Sequence, residues 1–167
     1  MVVSTACNVG QWCWVTSTIP NGAKKGVGML KTQIIHPELL AVLAKCGHKA
    51  KILIADANYS FVTNSSPRAE IIYLNFAPGM VPSTVILEGI SQVLNIESAS
   101  MMAWPEDFEN TSQKDYLEIL PRETPMELLT REDFYGSVRS MDTLLVVATG
   151  ETRRFSNLLL TVGPVFL

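Results

Sequence analysis

Residues 46–60 read CGHKAKILIADANYS, and the apolar run at their centre decides the fold. That run, KILIA at 51–55, has the length of a strand and ends at a polar residue, Asp56. A short apolar run of this kind predicts a buried strand. Similar runs return along the chain at 70–75, 96–104, 126–130, 142–149 and 157–163.

Helical patterns lie between these strands. One helix begins at Pro37, which suits the first helical position, and stops before Gly47. Three further helices are predicted: 84–95 capped by Ser83, 107–120 on the surface, and 131–141 capped by Thr130. Strands that alternate with helices predict an α/β layered fold with a mainly parallel sheet.

The composition indicates which kinds of partner the protein is expected to bind. Of the 167 residues, 47% are hydrophobic and only 17% are charged, so part of the apolar excess is expected in subunit interfaces. A net charge of −3 without a basic stripe argues against nucleic acid. The longest apolar run has strand length, far below the ~18 residues of a membrane span.

Neither a metal nor a disulfide framework is indicated. The three cysteines are spaced irregularly, and His36 and His48 lie too far apart for a helix-borne metal pair. Unpaired cysteines favour a reducing compartment, so we expect a cytoplasmic protein.

The first 28 residues differ from the rest. They lack clear periodicity and end in a Gly/Lys-rich linker, whereas the sequence becomes regular from residue 29. We therefore expect a peripheral N-terminal extension at 1–28 and one domain at 29–167.

Polar residues follow two of the predicted strands. In parallel sheets ligands bind beyond the carboxyl ends of strands, which points to Asp56 and to the loop GETRRFSN at 150–157. The chain has no nucleotide-phosphate loop and no GxSxG elbow. The remaining polar set suits a small polyhydroxylated ligand: His48, Asp56, Asn58, Tyr59, Arg68, Arg131, Ser156 and Asn157.

Each of these residues could instead have a purely structural role. His48 could bond the last carbonyls of the preceding helix, and Asp56 could simply turn the loop that it opens. Arg131 and Arg153 could be solvated, and Asn157 could be a turn residue.

Several ordered blocks resemble the D-ribose pyranase / L-fucose mutarotase family. They are MLKTQIIHPELLAVLAKCGHKAKILIADANYS at 29–60, REDFYGS at 131–137 and VVATGETRRFSNLLLTVGPV at 146–165. The resemblance implies a three-layer, Rossmann-like α/β domain. It also implies a ring-forming homo-oligomer, often two stacked pentamers, whose site is completed by a neighbouring subunit.

The resemblance also implies roles for particular residues. His48 matches the family's catalytic proton donor, and the positions that match substrate-binding residues are Asp56, Arg131, Phe155, Ser156 and Asn157. Two positions depart from the family pattern. Phe155 stands where tyrosine is usual, and Ser156 stands where glycine or alanine is usual.

The implied activity is that of an isomerase without cofactor or metal, a monosaccharide mutarotase. The arginine in the REDFY block favours the fucose type over the D-ribose pyranase type. Because Phe155 lacks the tyrosine hydroxyl, the alternative is a catalytically weak sugar-binding or regulatory relative.

Overall fold

The structure is a computed structural model that describes residues 30–165. The expected extension at 1–28 lies outside these residues, and the domain boundary at residue 29 stays a prediction. Within residues 30–165, no helix is long and apolar enough to cross a membrane.

The described chain forms six strands and four helices. Their bounds, in chain order, are α1 Pro37–Leu43, β1 Lys51–Ala55, β2 Glu70–Tyr73, α2 Ser83–Ser91, β3 Ile96–Met102, α3 Thr111–Ile119, β4 Met126–Leu129, α4 Arg131–Val138, β5 Thr143–Ala148 and β6 Leu158–Val162. All six predicted strands are thereby confirmed.

The six strands form one sheet in the order β2-β5-β1-β6-β3-β4. Five strands run in the same direction, and β6 is antiparallel to both of its neighbours, β1 and β3. The mainly parallel sheet is confirmed, but a reversed strand lies inside it.

Strand β1 shows why the domain has three layers. Its side chains alternate, so Ile52 and Ile54 join a core with α1, α2 and α3, while Leu53 and Ala55 join a second core with α4. All four side chains are fully buried, which explains the uninterrupted apolar sequence.

Some predicted helix ends differ from the structure. Helix α1 begins at Pro37 as predicted but ends at Leu43, and the residue that takes a left-handed backbone after it is Lys49 rather than Gly47. The predicted surface helix is only partly exposed, because Tyr116 of α3 is fully buried.

The two predicted caps have different outcomes. Thr130 caps α4, since its hydroxyl accepts a hydrogen bond from the backbone N–H of Asp133 at 3.2 Å. Ser83 does not cap α2, because its hydroxyl is buried and donates to the carboxylate of Glu151 at 2.9 Å.

Gly150 follows β5 and lies directly against the turn at 77–81. Its N–H donates to the carbonyl of Val81 at 3.0 Å, and its carbonyl accepts from the N–H of Gly79 at 2.6 Å. A Cβ at position 150 would lie 1.6 Å from the carbonyl oxygen of Met80, so only glycine fits.

We predict that Gly150→Ala lowers the free energy of unfolding by about 1–3 kcal/mol or more, because the backbone must move apart. Gly136→Ala is the matched control, since Gly136 lies exposed in α4 with nothing within 4 Å of an added Cβ. This control should gain roughly 0.5–1 kcal/mol from helix propensity. Urea unfolding at one protein concentration measures both; equal effects would contradict the close approach at Gly150.

Candidate functional site

The ends of three strands meet at one edge of the sheet. Asp56 directly follows β1, and the loop at 149–157 joins β5 to β6. Because β6 runs antiparallel to β1, the start of β6 lies beside the end of β1. Asn157, which precedes β6, is thereby brought to Asp56.

Asp56 and Asn157 hold each other through two hydrogen bonds. The backbone N–H of Asp56 donates to Oδ1 of Asn157 at 3.0 Å, and Nδ2 of Asn157 donates to Oδ2 of Asp56 at 2.7 Å. The backbone N–H of Asn58 donates to the other carboxylate oxygen at 2.9 Å. Both residues are thus positioned by the fold, although Asp56 also forms the loop turn that the alternative interpretation expected.

The Asp56 carboxylate is almost completely buried. Burial raises its pKa above the ordinary value, against the hydrogen bonds from Asn58 and Asn157, which lower it. The bonds from Asn58 and Asn157 go to different carboxylate oxygens, and an ionised carboxylate offers about four lone-pair sites in all. The group can therefore accept a hydrogen bond from a ligand hydroxyl.

Phe155 has a left-handed backbone with φ of 57°. For a bulky residue this conformation costs about 1–2 kcal/mol, and such strain is concentrated at functional sites. Two hydrogen bonds hold this segment: Nδ2 of Asn110 donates to the carbonyl of Phe155 at 3.1 Å, and the buried hydroxyl of Tyr116 donates to the carbonyl of Ser156 at 2.7 Å.

The ring of Phe155 takes part in an aromatic contact. Its centroid lies 5.1 Å from that of Phe108, edge to face, and the guanidinium of Arg154 lies 5.2 Å from the Phe155 centroid. A small apolar surface therefore stands where the family pattern has a tyrosine.

The hydroxyls of Ser156 and Tyr59 are both engaged in other hydrogen bonds and do not replace that of a tyrosine. The Ser156 hydroxyl is fully buried and hydrogen-bonded to the hydroxyl of Ser112. The Tyr59 hydroxyl donates to the carbonyl of Asn64 at 2.7 Å, within its own loop.

Glu151 and Arg153 anchor the same loop, and sequence reasoning missed both. Arg153 was expected in solvent, but its guanidinium donates twice to Glu151, at 3.0 and 2.9 Å, and once to Asp115 of α3 at 2.6 Å. Burial acts to raise the pKa of Glu151, but hydrogen bonds from Arg153 and Ser83 outweigh it and lower this pKa to about 2. The Thr-Gly-Glu block was the available signal.

Arg131 is the first residue of α4, separated from the end of β4 by Thr130 alone, and its side chain is exposed. It stands at the same edge of the sheet as Asp56. Strand β4 is three positions from β1, which corresponds to about 14 Å between the strands. The structure therefore places Arg131 at the far side of this edge.

His48 lies at the opposite edge, before β1. Its Nε2 is 2.9 Å from Oε2 of Glu97, so it does not bond the last carbonyls of α1. It lines a groove of about 340 Å³ with Asn95, Ile96, Glu97, Gly163 and Pro164. Strand β1 separates it from Asp56, and the five strand residues alone span about 13 Å. One chain therefore does not bring His48 and Asp56 to the same small ligand.

Across residues 30–165, no group of three histidine, cysteine or acidic side chains is close enough to hold a metal ion. The chemistry that these described residues offer is hydrogen bonding to hydroxyls and proton transfer.

Fold and polar cluster together define an α/β domain with a candidate ligand site at its strand ends. The chain belongs to the RbsD / FucU transport protein family, whose sequence model matches residues 29–165. It is 32% identical over 155 residues to the fucose mutarotase of Homo sapiens, covering 87% of this chain and 96% of the relative. It is 29% identical over 142 residues to the D-ribose pyranase of Bacillus subtilis, covering 83% and 100%.

Solved structures show the same fold. Bacillus subtilis RbsD complexed with D-ribose matches with a TM-score of 0.72 and 25% identity, covering 83% of this chain and 100% of the other. The fucose mutarotase of Streptococcus pneumoniae in complex with L-fucose matches with a TM-score of 0.66 and 25% identity, covering 79% and 95%.

The low pKa of Glu151 predicts acid-sensitive stability. Its folded pKa of about 2 lies below the unfolded value of 4.5, so its contribution is complete above pH 4.5 and is lost as the pH falls towards 2. The shift corresponds to on the order of 3 kcal/mol. Glu151→Gln should therefore be less stable at pH 7 and lose less stability than wild type between pH 5 and about 2.5.

Urea unfolding at fixed protein concentration measures this difference. Glu127→Gln is the control, because Glu127 is an exposed residue of β4. Parallel acid profiles for wild type and Glu151→Gln would contradict the assignment.

Proposed function

We propose that this chain is a cofactor-independent monosaccharide mutarotase, most similar in substrate to the fucose type. The observation that carries the proposal is the buried Asp56–Asn157 pair beside a strained loop, in a chain of the RbsD / FucU family. A carboxylate and an amide at strand ends can hold the hydroxyls of a sugar.

The reaction needs one acid and one base. A base takes the proton of the anomeric hydroxyl while an acid protonates the ring oxygen, and the ring opens to the free carbonyl form. Rotation about the bond that joins the carbonyl carbon to its neighbour lets the same hydroxyl attack the other face of the carbonyl, which gives the other anomer. When a different hydroxyl attacks, the ring closes with a different size. Acid–base help of about 10²–10⁴-fold is what one histidine can supply.

In this proposal His48 is the proton shuttle: as the base it takes the proton of the anomeric hydroxyl, and as the resulting imidazolium it gives a proton to the ring oxygen. The sugar contacts come from the other edge of the sheet, where the candidate substrate-binding residues are Asp56, Arg131, Phe155, Ser156 and Asn157. Because Arg131 stands at the far side of this edge, about 14 Å from β1, its long side chain would have to extend towards the sugar. Nδ2 of Asn157 uses one of its two N–H groups in the hydrogen bond to Asp56, and the second N–H can donate to a sugar oxygen. With its hydroxyl turned to Ser112, Ser156 would contribute backbone groups.

The separation of His48 from Asp56 implies a second copy of the chain. A sugar held at Asp56 would meet His48 of a neighbouring subunit, because β1 keeps the two residues of one chain apart. This supports a homo-oligomer, and we include the pentameric or decameric ring, with a cytoplasmic location, in the proposal.

The fucose type is preferred because Arg131 stands in the REDFY block and because the human fucose mutarotase is 32% identical. The D-ribose pyranase type is the alternative substrate type, since the Bacillus subtilis enzyme is 29% identical.

A second candidate function is sugar binding with little turnover. Phe155 offers no hydroxyl, and the hydroxyls of Ser156 and Tyr59 are engaged within the protein. Leaving a sugar oxygen without its partner costs about 1–3 kcal/mol. That loss reduces the stabilisation of the transition state but still allows the sugar to bind.

The two-copy site predicts complementation between inactive variants. His48→Ala and Asp56→Ala should each lose fucose anomer exchange, the former by ~10²–10⁴-fold. Co-expressed in equal amounts, they should recover about a quarter of the wild-type rate, because one in four interfaces then combines both intact residues. Saturation-transfer NMR measures the exchange.

A matched mixture lacks any intact combination. His48→Ala is co-expressed with the double variant His48→Ala/Asp56→Ala, and this mixture should stay inactive. Equal rates in the two mixtures would rule out a site shared between copies, and a wild type no faster than His48→Ala would rule out the mutarotase itself.

Phe155→Tyr separates the two candidate functions. The added hydroxyl should raise the exchange rate about 5- to 100-fold if its absence limits the reaction. Sugar binding, measured by calorimetry, should tighten as well. A wild type that already exchanges fast, with no gain in Phe155→Tyr, would contradict the weak-turnover alternative.

A further inference from the structure

We infer that Glu97 is a positioning residue for His48, holding the imidazole so that Nε2 donates to the carboxylate and Nδ1 is left for proton exchange. The inference rests on the proposed function, since it concerns the same proton shuttle. Oε2 of Glu97 lies 2.9 Å from Nε2 of His48, and Oε1 is hydrogen-bonded to Nζ of Lys49.

An irregularity in the sheet aims Glu97 at this histidine. The register of β3 against β6 shifts between Ile96 and Ser98, so Glu97 is the extra residue of a bulge. Bulges re-aim side chains and are frequent beside functional sites. Gly163 lies opposite, and a Cβ there would be only 3.4 Å from Cβ of Glu97, so the missing side chain leaves room.

A second irregularity brings the partners to the carboxylate. Lys49 has φ of 69°, a left-handed conformation that is unfavourable for residues other than glycine. Its N–H donates to the carbonyl of Val162 at 2.9 Å, which fixes the turn. Consecutive side chains of an extended segment point apart, whereas here His48 and Lys49 converge on one carboxylate.

The carboxylate determines which ring nitrogen carries the proton. Hydrogen bonds from Lys49 and then His48 hold the pKa of Glu97 below its ordinary value, so Glu97 is ionised and only accepts. The Nε2 that faces it must therefore be protonated. Within residues 30–165 Nδ1 has no hydrogen-bond partner, and the ring is half-exposed in the groove at 95–97 and 163–164.

Three variants test this role through the kinetics of anomer exchange. Glu97→Ala should lower kcat by ~10-fold or more and leave KM unchanged, because Glu97 contacts the imidazole and not the sugar. The kcat of Glu97→Gln should lie between those of wild type and Glu97→Ala, since its amide oxygen can accept from Nε2 but carries no charge. Glu70→Gln is the matched control: like Glu97, Glu70 lies in the first two residues of a strand and pairs with a lysine, Lys45 at 2.7 Å, but it has no histidine partner.

A spectroscopic measurement reads the same contact without any sugar. The chain has only two histidines, so ¹⁵N-histidine labelling gives two ring systems, and His48→Ala assigns them. In the neutral ring of His48 the wild type should be protonated on Nε2, and Glu97→Ala should populate the form protonated on Nδ1.

The outcomes separate this inference from the proposed function. An active wild type whose kcat changes by less than about twofold in Glu97→Ala overturns the inference and leaves the proposed function standing. Unchanged ring protonation in Glu97→Ala also overturns it. A wild type that exchanges no sugar faster than His48→Ala overturns the proposed function, and the positioning role falls with it.

Discussion

A pair of hydrogen bonds between Asp56 and Asn157 joins positions 101 residues apart, and the candidate site depends on it. The amide of Asn157 accepts from the backbone of Asp56 and donates to its carboxylate, so neither group can rotate without losing a bond. The carboxylate stays in place although burial raises its pKa. A polar group held in this way needs no reorganisation when a ligand hydroxyl approaches.

The surrounding loop is held by charge as well as by packing. The ion pair of Glu151 and Arg153 connects the loop to α3 through Asp115, and Ser83 connects it to α2. These contacts oppose the backbone strain at Phe155. The strained residue is therefore part of a rigid frame, which is the condition under which unfavourable backbone conformations persist.

The sequence predicted the strands well because most of them are short, mainly apolar runs between polar segments, as KILIA shows. It could not predict the direction of β6, since a buried strand has the same apolar pattern in either direction. Arg153 and Ser83 were misjudged for a related reason. Local patterns predict a solvated arginine and a helix cap, but both side chains bind Glu151, which is distant from Ser83 in sequence.

The placement of His48 and Asp56 shows a different limit. The family resemblance indicated both residues, which are eight positions apart in the sequence. A strand is extended, so the residues at its two ends are far apart in the folded chain. The sequence could indicate the two residues, but it did not show that they lie at opposite ends of β1.

The position of β6 has a consequence for how the chain assembles during synthesis. Strands β2, β5 and β1 form one half of the sheet and β3 and β4 the other, and β6, which follows these five strands in the chain, pairs with both halves. A nascent chain that ends before Leu158 therefore has two half-sheets with uncovered inner edges, which are prone to pairing with other chains. Closure of the sheet and completion of the Asp56–Asn157 pair therefore both require the segment that carries Asn157 and β6.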